Sequence, residues 1–357
     1  MPTAMPDYDI AVLIGRFQPF HNAHAAVLRQ ALTLAARVLV VLGSAHQART
    51  PKNPFFWEER AAMIADTLSA ERVGGASCSP CEHGEQDAPP TLRVAFVPVR
   101  DYYDDRHWAA AVEKGVREVA GEAAKRVVLA GFDKDASTYY LNLFPHWAFH
   151  ALERQGDIDA SRARQLYFAD GLTNALAALL PDSVARFLQD WSQSADYAAL
   201  RVDWQAIQQY RQRWGNGIFV TVDAVVTAAN HVLLIQRGNP PGQGLWALPG
   251  GFLEGRERLL RGALRELKEE TGLDVPETAL RGVAVFDHPD RSQRARIITH
   301  AHWFDLGDSE TLPEVQGADD AAHARWIPLA ELAALETRMF EDHFHILDHF
   351  LNVSAPL

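Results

Sequence analysis

The chain has 357 residues, enough for two domains of ordinary size. Its 46 acidic residues outnumber its 34 basic ones, and a formal net charge of −12 lacks the basic stripe that a nucleic-acid surface needs. No apolar run is long enough to cross a bilayer and Met1-Pro-Thr-Ala-Met-Pro-Asp carries no secretory signal, so a cytoplasmic protein with no membrane partner is expected; a homo-oligomer is compatible with the sequence.

The first predicted element is a buried parallel strand, Asp9 to Gly15, a short apolar run that ends in glycine. It leads through Arg16-Phe17-Gln-Pro-Phe-His21-Asn-Ala-His24 into a helix expected to reach about Ala36. At such a junction backbone N–H groups and the positive end of the helix dipole point at an anion, and Arg16, His21 and His24 add donors at the same place. A phosphate site is the natural reading, with zinc ligation by the His21/His24 pair as the alternative. Further strands are expected over 38–42, 93–97 and 127–130, alternating with helices in the pattern of a doubly wound parallel sheet. Between them the segment GGASCSPCEHGEQDAPPT holds the only cysteines, Cys78 and Cys81, with His83 nearby; it reads as an exposed loop, with half a zinc site as the alternative.

From about Pro181 to Trp214 the chain is polar and helical, with Phe187, Trp191, Tyr197, Trp204, Tyr210 and Trp214, and reads as a connector. From Gly217 the pattern changes to strands, FVTVDAVVTAANHVLLIQRG, followed by further strands near 281–286, 296–305 and 324–327 and a final helix near 341–351. The expected division is a first domain over 1–180, a helical connector over 181–214 and a second domain over 215–357.

Within the second domain, Gly251 to Leu273 reads GFLEGRERLLRGALRELKEETGL. It satisfies every position of G-x5-E-x7-R-E-U-x-E-E-x-G-U, where U is bulky and aliphatic, a match expected by chance in roughly one chain in a million. Glu266, Glu269 and Glu270 stand at i, i+3 and i+4, so on a helix they share a face and can converge on a hard divalent cation. Leu260, Ala263, Leu264 and Leu267 follow the same period on the neighbouring face and pack the helix down. Gly272 is placed for a left-handed cap, and Pro249-Gly250-Gly251 for a tight turn whose carbonyls lie within reach of the same metal. This is the Nudix box, and the segment resembles Nudix hydrolases, which cleave a nucleoside diphosphate linked to another moiety using Mg or Mn ions. The resemblance implies Glu266, Glu269, Glu270 and Gly251 as metal ligands, with Glu269 and Glu270 in the catalytic set. It also implies that Arg265 and Glu257 form an ion pair that orients the helix, and that a general base comes from outside the box, with Glu314, Asp319 and Asp320 as candidates.

The amino-terminal half carries a second resemblance. Gly15-Arg16-Phe17-Gln-Pro-Phe-His21-Asn-Ala-His24 after a first strand resembles the HxGH signature of the nucleotidyltransferase superfamily that includes nicotinamide-mononucleotide adenylyltransferases, with Ala23 in place of the glycine. Gly43 to Arg60 resembles the segment that follows the second strand in those enzymes, which implies Arg49 and Asn53 near the substrates. Val97 to Trp108 resembles the loop whose tryptophan stacks on the nicotinamide ring, which implies Asp101 and Trp108 as substrate residues; core packing is the alternative for Trp108. Ile158 to Arg164 resembles the second phosphate motif, with Ser161 and Arg164 set to hold the β and γ phosphates of ATP and Asp159 as a helix N-cap. In mechanism this implies attack by the 5′-phosphate of nicotinamide mononucleotide on the α-phosphorus of ATP, with His21, His24, Arg16 and Arg164 neutralising charge and Gly15 and Phe17 contacting substrate.

Gln236-Arg237-Gly, Trp246-Ala-Leu-Pro-Gly-Gly-Phe and Phe286-Asp-His-Pro-Asp-Arg291 resemble the Nudix part of bacterial fusions of nicotinamide-mononucleotide adenylyltransferase with a Nudix ADP-ribose pyrophosphatase. Arg237 and Arg291 are thereby implied as substrate contacts. The resemblance implies an α/β chain, a Rossmann-like nucleotidyltransferase domain with a doubly wound parallel sheet followed by a Nudix α/β/α sandwich. ATP, nicotinamide mononucleotide and ADP-ribose are its implied substrates, and Mg or Mn its implied cofactor. The alternatives are nicotinate mononucleotide as acceptor, NADH or another dinucleotide as hydrolase substrate, and a regulator that binds ADP-ribose without cleaving it.

Overall fold

The computed structural model describes residues 6–74, 93–102, 104–121, 126–131, 142–153, 159–215, 217–308 and 311–354; Cys78, Cys81, His83 and Ile158 lie outside these. The chain forms two compact units, Met1–Ala198 and Ala199–Pro356. No helix among the described residues is long and apolar enough to cross a membrane.

In the first unit the order is β1 (Tyr8–Gly15), α1 (Asn22–Leu34), β2 (Ala35–Leu42), α2 (Trp57–Gly74), β3 (Val94–Pro98), α3 (Asp105–Ala120), β4 (Val127–Gly131), β5 (Ala148–Ala151) and α4 (Ala160–Asp170). The five strands pair in parallel in the order β3-β2-β1-β4-β5. Ile10–Leu13 and Val38–Leu42 are almost wholly buried, as strands covered on both faces must be. Ile10, Val12, Leu39, Val41 and Leu129 meet Val112 and Val116 of α3 on one face. The strand order reverses between β1 and β4, so the crevice where such sheets bind ligands opens just beyond Gly15.

Two local expectations are corrected. The first helix stops at Leu34 rather than near Ala36, because Ala35 turns extended (φ −134°) and, fully buried, gains Tyr8 as a strand partner. Strand β5 was not expected; all four of its residues are exposed at the sheet edge, so no burial pattern marks it in the sequence.

Three helices follow, α5 (Asn174–Ala177), α6 (Asp182–Trp191) and α7 (Ala195–Trp214). The boundary between the units falls in the first turn of α7, so the helical residues 181–214 divide between them. On the amino-terminal side Tyr167, Trp191 and Tyr197 pack ring on ring, and the Tyr167 hydroxyl donates to Leu188 O at 2.6 Å.

The second unit contains β6 (Ile218–Ala228), β7 (His231–Arg237), β8 (Trp246–Ala247), β9 (Gly250–Phe252), α8 (Leu259–Thr271), β10 (Leu280–Phe286), β11 (Arg296–Asp305), β12 (Ala321–Pro328) and α9 (His343–Leu351). Its mixed sheet runs β10-β11-β6-β7-β12, with β8 on β7 and β9 on β6. The β11–β6 pairing is parallel, and the other ladders between its named strands are antiparallel. Ala229 and Asn230, both at positive φ, close the β6–β7 hairpin. Alternation along β6 sends Val225 to the face covered by Ile346 and Leu347 of α9, and Ala224 and Val226 to the face covered by Leu267 of α8. Helices therefore sandwich the sheet, and the box helix α8 lies on one side of it.

Candidate active sites

The first candidate site is built on the β1–α1 junction. His21 is the N-cap of α1: its Nδ1 accepts the His24 N–H and His24 Nδ1 accepts the His21 N–H, each at 3.4 Å. The two rings stack 3.6 Å apart, and Phe17 meets the His24 ring edge-on at 4.8 Å. Phe17 is buried at a left-handed φ of 52°, with its ring beneath Gly15, where an added Cβ would stand 2.9 Å from it. Such strain in an aromatic residue persists only where surroundings over-determine it. Ala23 is buried within the helix. Both histidines are thus at a helix start rather than spread along a helix face, and among the described residues no group of three His, Cys, Asp or Glu side chains is arranged to hold a metal ion.

Three distant segments brace this junction. Arg164 on α4 donates to Gln18 O at 2.6 Å and to Ser161 Oγ at 3.2 Å, which ties the start of α4 to the β1–α1 loop. Burial pushes its guanidinium down to about 10, with Arg16 adding to the shift. Gln18 clasps the Phe55 backbone, its Nε2 donating to Phe55 O and its Oε1 accepting the Phe55 N–H. Arg60 is fully buried and donates to the carbonyls of Arg16 and Gly43, at 2.7 Å each, and to that of Ser44. Sequence reasoning missed Gln18 and Arg60, since their partners are backbone groups far along the chain. Asp159 caps α4 as expected, accepting the Arg162 N–H at 2.8 Å.

The other expected substrate residues of this half occupy the rim next to β2 and β3. Asp101 accepts from the Ser44 N–H, the Ser44 hydroxyl and Gln47 Nε2, and Asn53 donates to Gln47. Arg49 is engaged by carboxylates: it pairs with Glu59 at 2.6 Å and Asp196 at 2.9 Å while lying 3.9 Å over the Phe56 ring. Trp108 is half-buried against the α3-side core, edge-on to Phe144 at 5.9 Å, so it meets the core contact that its alternative reading foresaw.

The second candidate site lies on α8. Arg265 forks onto both oxygens of Glu257 at 3.0 Å and also reaches Glu266 and Glu269 at 2.9 Å. That contact holds the Glu257 carboxyl below its ordinary range. Glu270 is buried and accepts the Gly250 N–H at 2.9 Å. Burial pushes its carboxyl up to about 8, with Glu266 adding. Glu266 is raised by burial against the pull of Arg265, and Asp319 is among the charges that raise it. Gly251 lets β9 approach, since a Cβ there would stand 2.5 Å from Glu266 Oε1. Gly272 ends α8 at φ 72°, the left-handed cap foreseen.

The three glutamates are nevertheless not gathered into a ready cation site among the described residues. Arg265 draws Glu266 and Glu269 while Glu270 turns to Gly250, so ligation by all three requires exchange of the arginine for the cation. Two carboxylates raised by burial, Glu266 and Glu270, beside the exposed Glu269 and a glycine-lined approach suit a hard divalent ion. Of the outside candidates for general base, Asp319 is the one close enough to perturb Glu266, and it sits at φ 54° in a segment whose Ala318 N–H bonds to Glu270 O. Asp320 is tied to Asn239 at 2.7 Å.

Arg237 lies 4.0 Å over the Phe340 ring, donates to Pro241 O and is close enough to Glu270 and Glu341 to feel both charges. Arg291, in contrast, is not presented to a ligand. It is 4% exposed and gives Nε and Nη2 to the two oxygens of Asp342, each at 2.8 Å. Beside it Arg294 pairs with Glu341 at 3.1 Å and lies between the Phe252 and Phe340 rings, 5.9 and 5.4 Å away. Sequence reasoning missed Arg294, three residues past the end of the motif that carried Arg291. Asp342→Ala is expected to lower the unfolding free energy by about 3–5 kcal/mol in urea titrations, because it strands a buried guanidinium; a loss under about 1 kcal/mol would show that Arg291 finds water or another carboxylate.

A parallel sheet with a histidine-capped β1–α1 junction at its switch point, followed by a Nudix fold with a complete box, defines a two-domain nucleotide-processing enzyme. Residues 12–165 match the cytidylyltransferase-like family and residues 217–350 the NUDIX domain. The chain is similar to the crystal structure of a bifunctional NMN adenylyltransferase/ADP ribose pyrophosphatase complexed with AMP and Mn ion from Francisella tularensis: 32% identity, TM-score 0.86, covering 97% of this chain and 99% of that one. It is 34% identical over 203 residues to the nicotinamide/nicotinic acid mononucleotide adenylyltransferase of Acinetobacter baylyi, spanning 57% of this chain and 96% of the relative. It is 36% identical over 132 residues to the ADP-ribose pyrophosphatase of Methanocaldococcus jannaschii, spanning 37% of this chain and 72% of the relative. The chain belongs to the family of bifunctional NMN adenylyltransferase/ADP-ribose pyrophosphatase enzymes.

Proposed function

We propose that residues 1–180 transfer the adenylyl group of ATP to nicotinamide mononucleotide, that residues 215–357 hydrolyse ADP-ribose to AMP and ribose 5-phosphate, and that 181–214 link the two in a cytoplasmic enzyme without a nucleic-acid partner. The observation that supports the reading is that one chain holds both the braced Gly15–His24 junction and the glutamate face of α8.

In the transferase, an oxygen of the mononucleotide 5′-phosphate attacks the α-phosphorus of ATP as the bond to the β-phosphate oxygen breaks and pyrophosphate leaves. The α1 start, His21, His24 and Arg16 face the charge that develops there, and Ser161 with Arg164 addresses the departing phosphates. In the hydrolase, Glu266, Glu269 and Glu270 would hold divalent ions. A bound Mg or Mn ion would supply a polarised phosphate oxygen and a water of lowered pKa. Arg265 orients the carboxylates, Asp319 takes the proton of the attacking water, and Arg237 steadies the diphosphate.

Incubation with Mg, ATP and nicotinamide mononucleotide should yield NAD and pyrophosphate, and incubation with Mg and ADP-ribose should yield AMP. Nicotinate mononucleotide in the first assay and NADH in the second separate the alternative substrates; a missing product refutes its own half only. Chelation by EDTA is expected to lower hydrolysis more than about 1000-fold, with recovery on adding excess Mg or Mn. Hydrolysis that persists in EDTA would remove the metal from the reading.

A further inference from the structure

The second half of α7 belongs to the hydrolase unit, although the NUDIX match begins only at residue 217. Asp203, Ile207, Tyr210 and Arg211 recur at helical spacing, so they share one face of α7. Ile207 is buried, Tyr210 lies nearly parallel to the Phe252 ring at 6.2 Å, and Arg211 donates to Gln293 O at 2.6 Å. At the head of this row Asp203 accepts the Gly242 N–H at 2.9 Å. A carboxylate at a half-buried helix position is costly unless a donor meets it, and the Gly242 N–H is that donor.

The loop that Asp203 holds is folded onto Arg237. The Arg237 N–H donates to Leu245 O at 2.9 Å, the Gly244 N–H donates to Arg237 O at 2.8 Å, and Arg237 Nε donates to Pro241 O at 3.1 Å. Gly242 stands at φ 79°, and a Cβ added there would lie 2.4 Å from the Phe340 ring, the same ring that Arg237 covers at 4.0 Å. The loop and the guanidinium therefore share one support. Burial raises the Asp203 carboxyl, while the Gly242 N–H and the Arg237 charge pull it down, so Asp203 feels both ends of the loop. Arg237 in turn feels the charge of Glu270 on α8.

We propose that Asp203 is a positioning residue for the hydrolase: by latching Gly242 it fixes the loop from Gly238 to Leu245 and thereby sets the Arg237 guanidinium beside the α8 glutamates. Asp203 acts through Arg237 and does not itself meet the substrate. The proposal rests on the reading above in which Arg237 steadies the diphosphate of ADP-ribose, and it carries the hydrolase site back into the helix that joins the two units. A guanidinium displaced by a fraction of its hydrogen-bonding reach loses the two-point contact that a diphosphate offers it.

The test is a double-mutant cycle on the whole chain, reading AMP formed from ADP-ribose with Mg. Asp203→Ala should raise KM about 10-fold or more and change kcat less than about threefold, since Arg237 holds the substrate and the transition state alike. Asp203→Asn, whose amide oxygen can accept the same N–H, should keep KM within about threefold of wild type. Added to Arg237→Ala, Asp203→Ala should change kcat/KM by less than about twofold. A wild-type KM in Asp203→Ala overturns the proposal, as does a defect that asparagine fails to rescue or that persists in full beside Arg237→Ala. If Asp203→Ala does not fold, Gly242→Ala, which crowds the loop against Phe340, replaces it, and an unchanged KM again overturns the proposal. A wild-type KM in Arg237→Ala removes Arg237 from the diphosphate and the proposal with it. If the wild-type chain yields no AMP, the hydrolysis reading itself falls; calorimetric Kd values for ADP-ribose with wild type and Asp203→Ala then decide the latch, equal affinities overturning it.

Discussion

Replacing Glu270 with glutamine is expected to lower ADP-ribose hydrolysis by more than about 100-fold in kcat while leaving NAD formation at its wild-type rate. The substitution is chosen for what it preserves. Glu270 accepts the Gly250 N–H, and an amide oxygen can accept the same bond, so the Gly250-Gly251 approach to α8 stays in place. What disappears is a buried negative charge that only a cation makes favourable to hold. Stability should change little or rise, because glutamine removes a carboxyl that burial already opposes. Hydrolysis within a factor of a few of wild type would move the metal site away from α8. Loss of NAD formation alongside it would contradict independent sites.

His24→Ala is the complementary change, expected to reduce adenylyl transfer by about 100- to 1000-fold and to leave hydrolysis intact. Its effect combines two losses. The alanine removes a ring that stacks on His21, and it removes the Nδ1 that accepts the His21 N–H, so the reciprocal cap of α1 is halved at a cost of about 1 kcal/mol. A capping role alone would be recovered by His24→Gln, which can reach back to the N-cap N–H, whereas a role in charge stabilisation would not. Steady-state NAD formation by alanine and glutamine variants separates the two, and equal, near-wild-type rates would leave His24 with no part in the transfer.

The α8 site was legible to an unusual degree because its chemistry is local. Three carboxylates at i, i+3 and i+4, an apolar neighbouring face and a glycine stop all lie within 23 consecutive residues, and a helix turns that spacing directly into position. The β1–α1 junction was legible for the same reason. Arg291 shows where such reading ends: its motif could be recognised, but Asp342, fifty-one positions away, engages its Nε and Nη2 in a buried fork. Arg60 and Gln18 show the converse, residues without a motif that hold the β1–α1 loop through backbone groups of other segments.

By itself, then, the sequence determined that two nucleotide-processing folds share the chain, since periodicity and spacing act over a few turns or strands. Only the tertiary structure decided which charged side chains remain available to a ligand. Arg265 holding Glu266 and Glu269, Asp342 sequestering Arg291, and Asp101 orienting Asn53 through Gln47 are contacts between groups whose spacing along the chain says nothing about their separation in space, or between neighbours whose rotamers packing must choose.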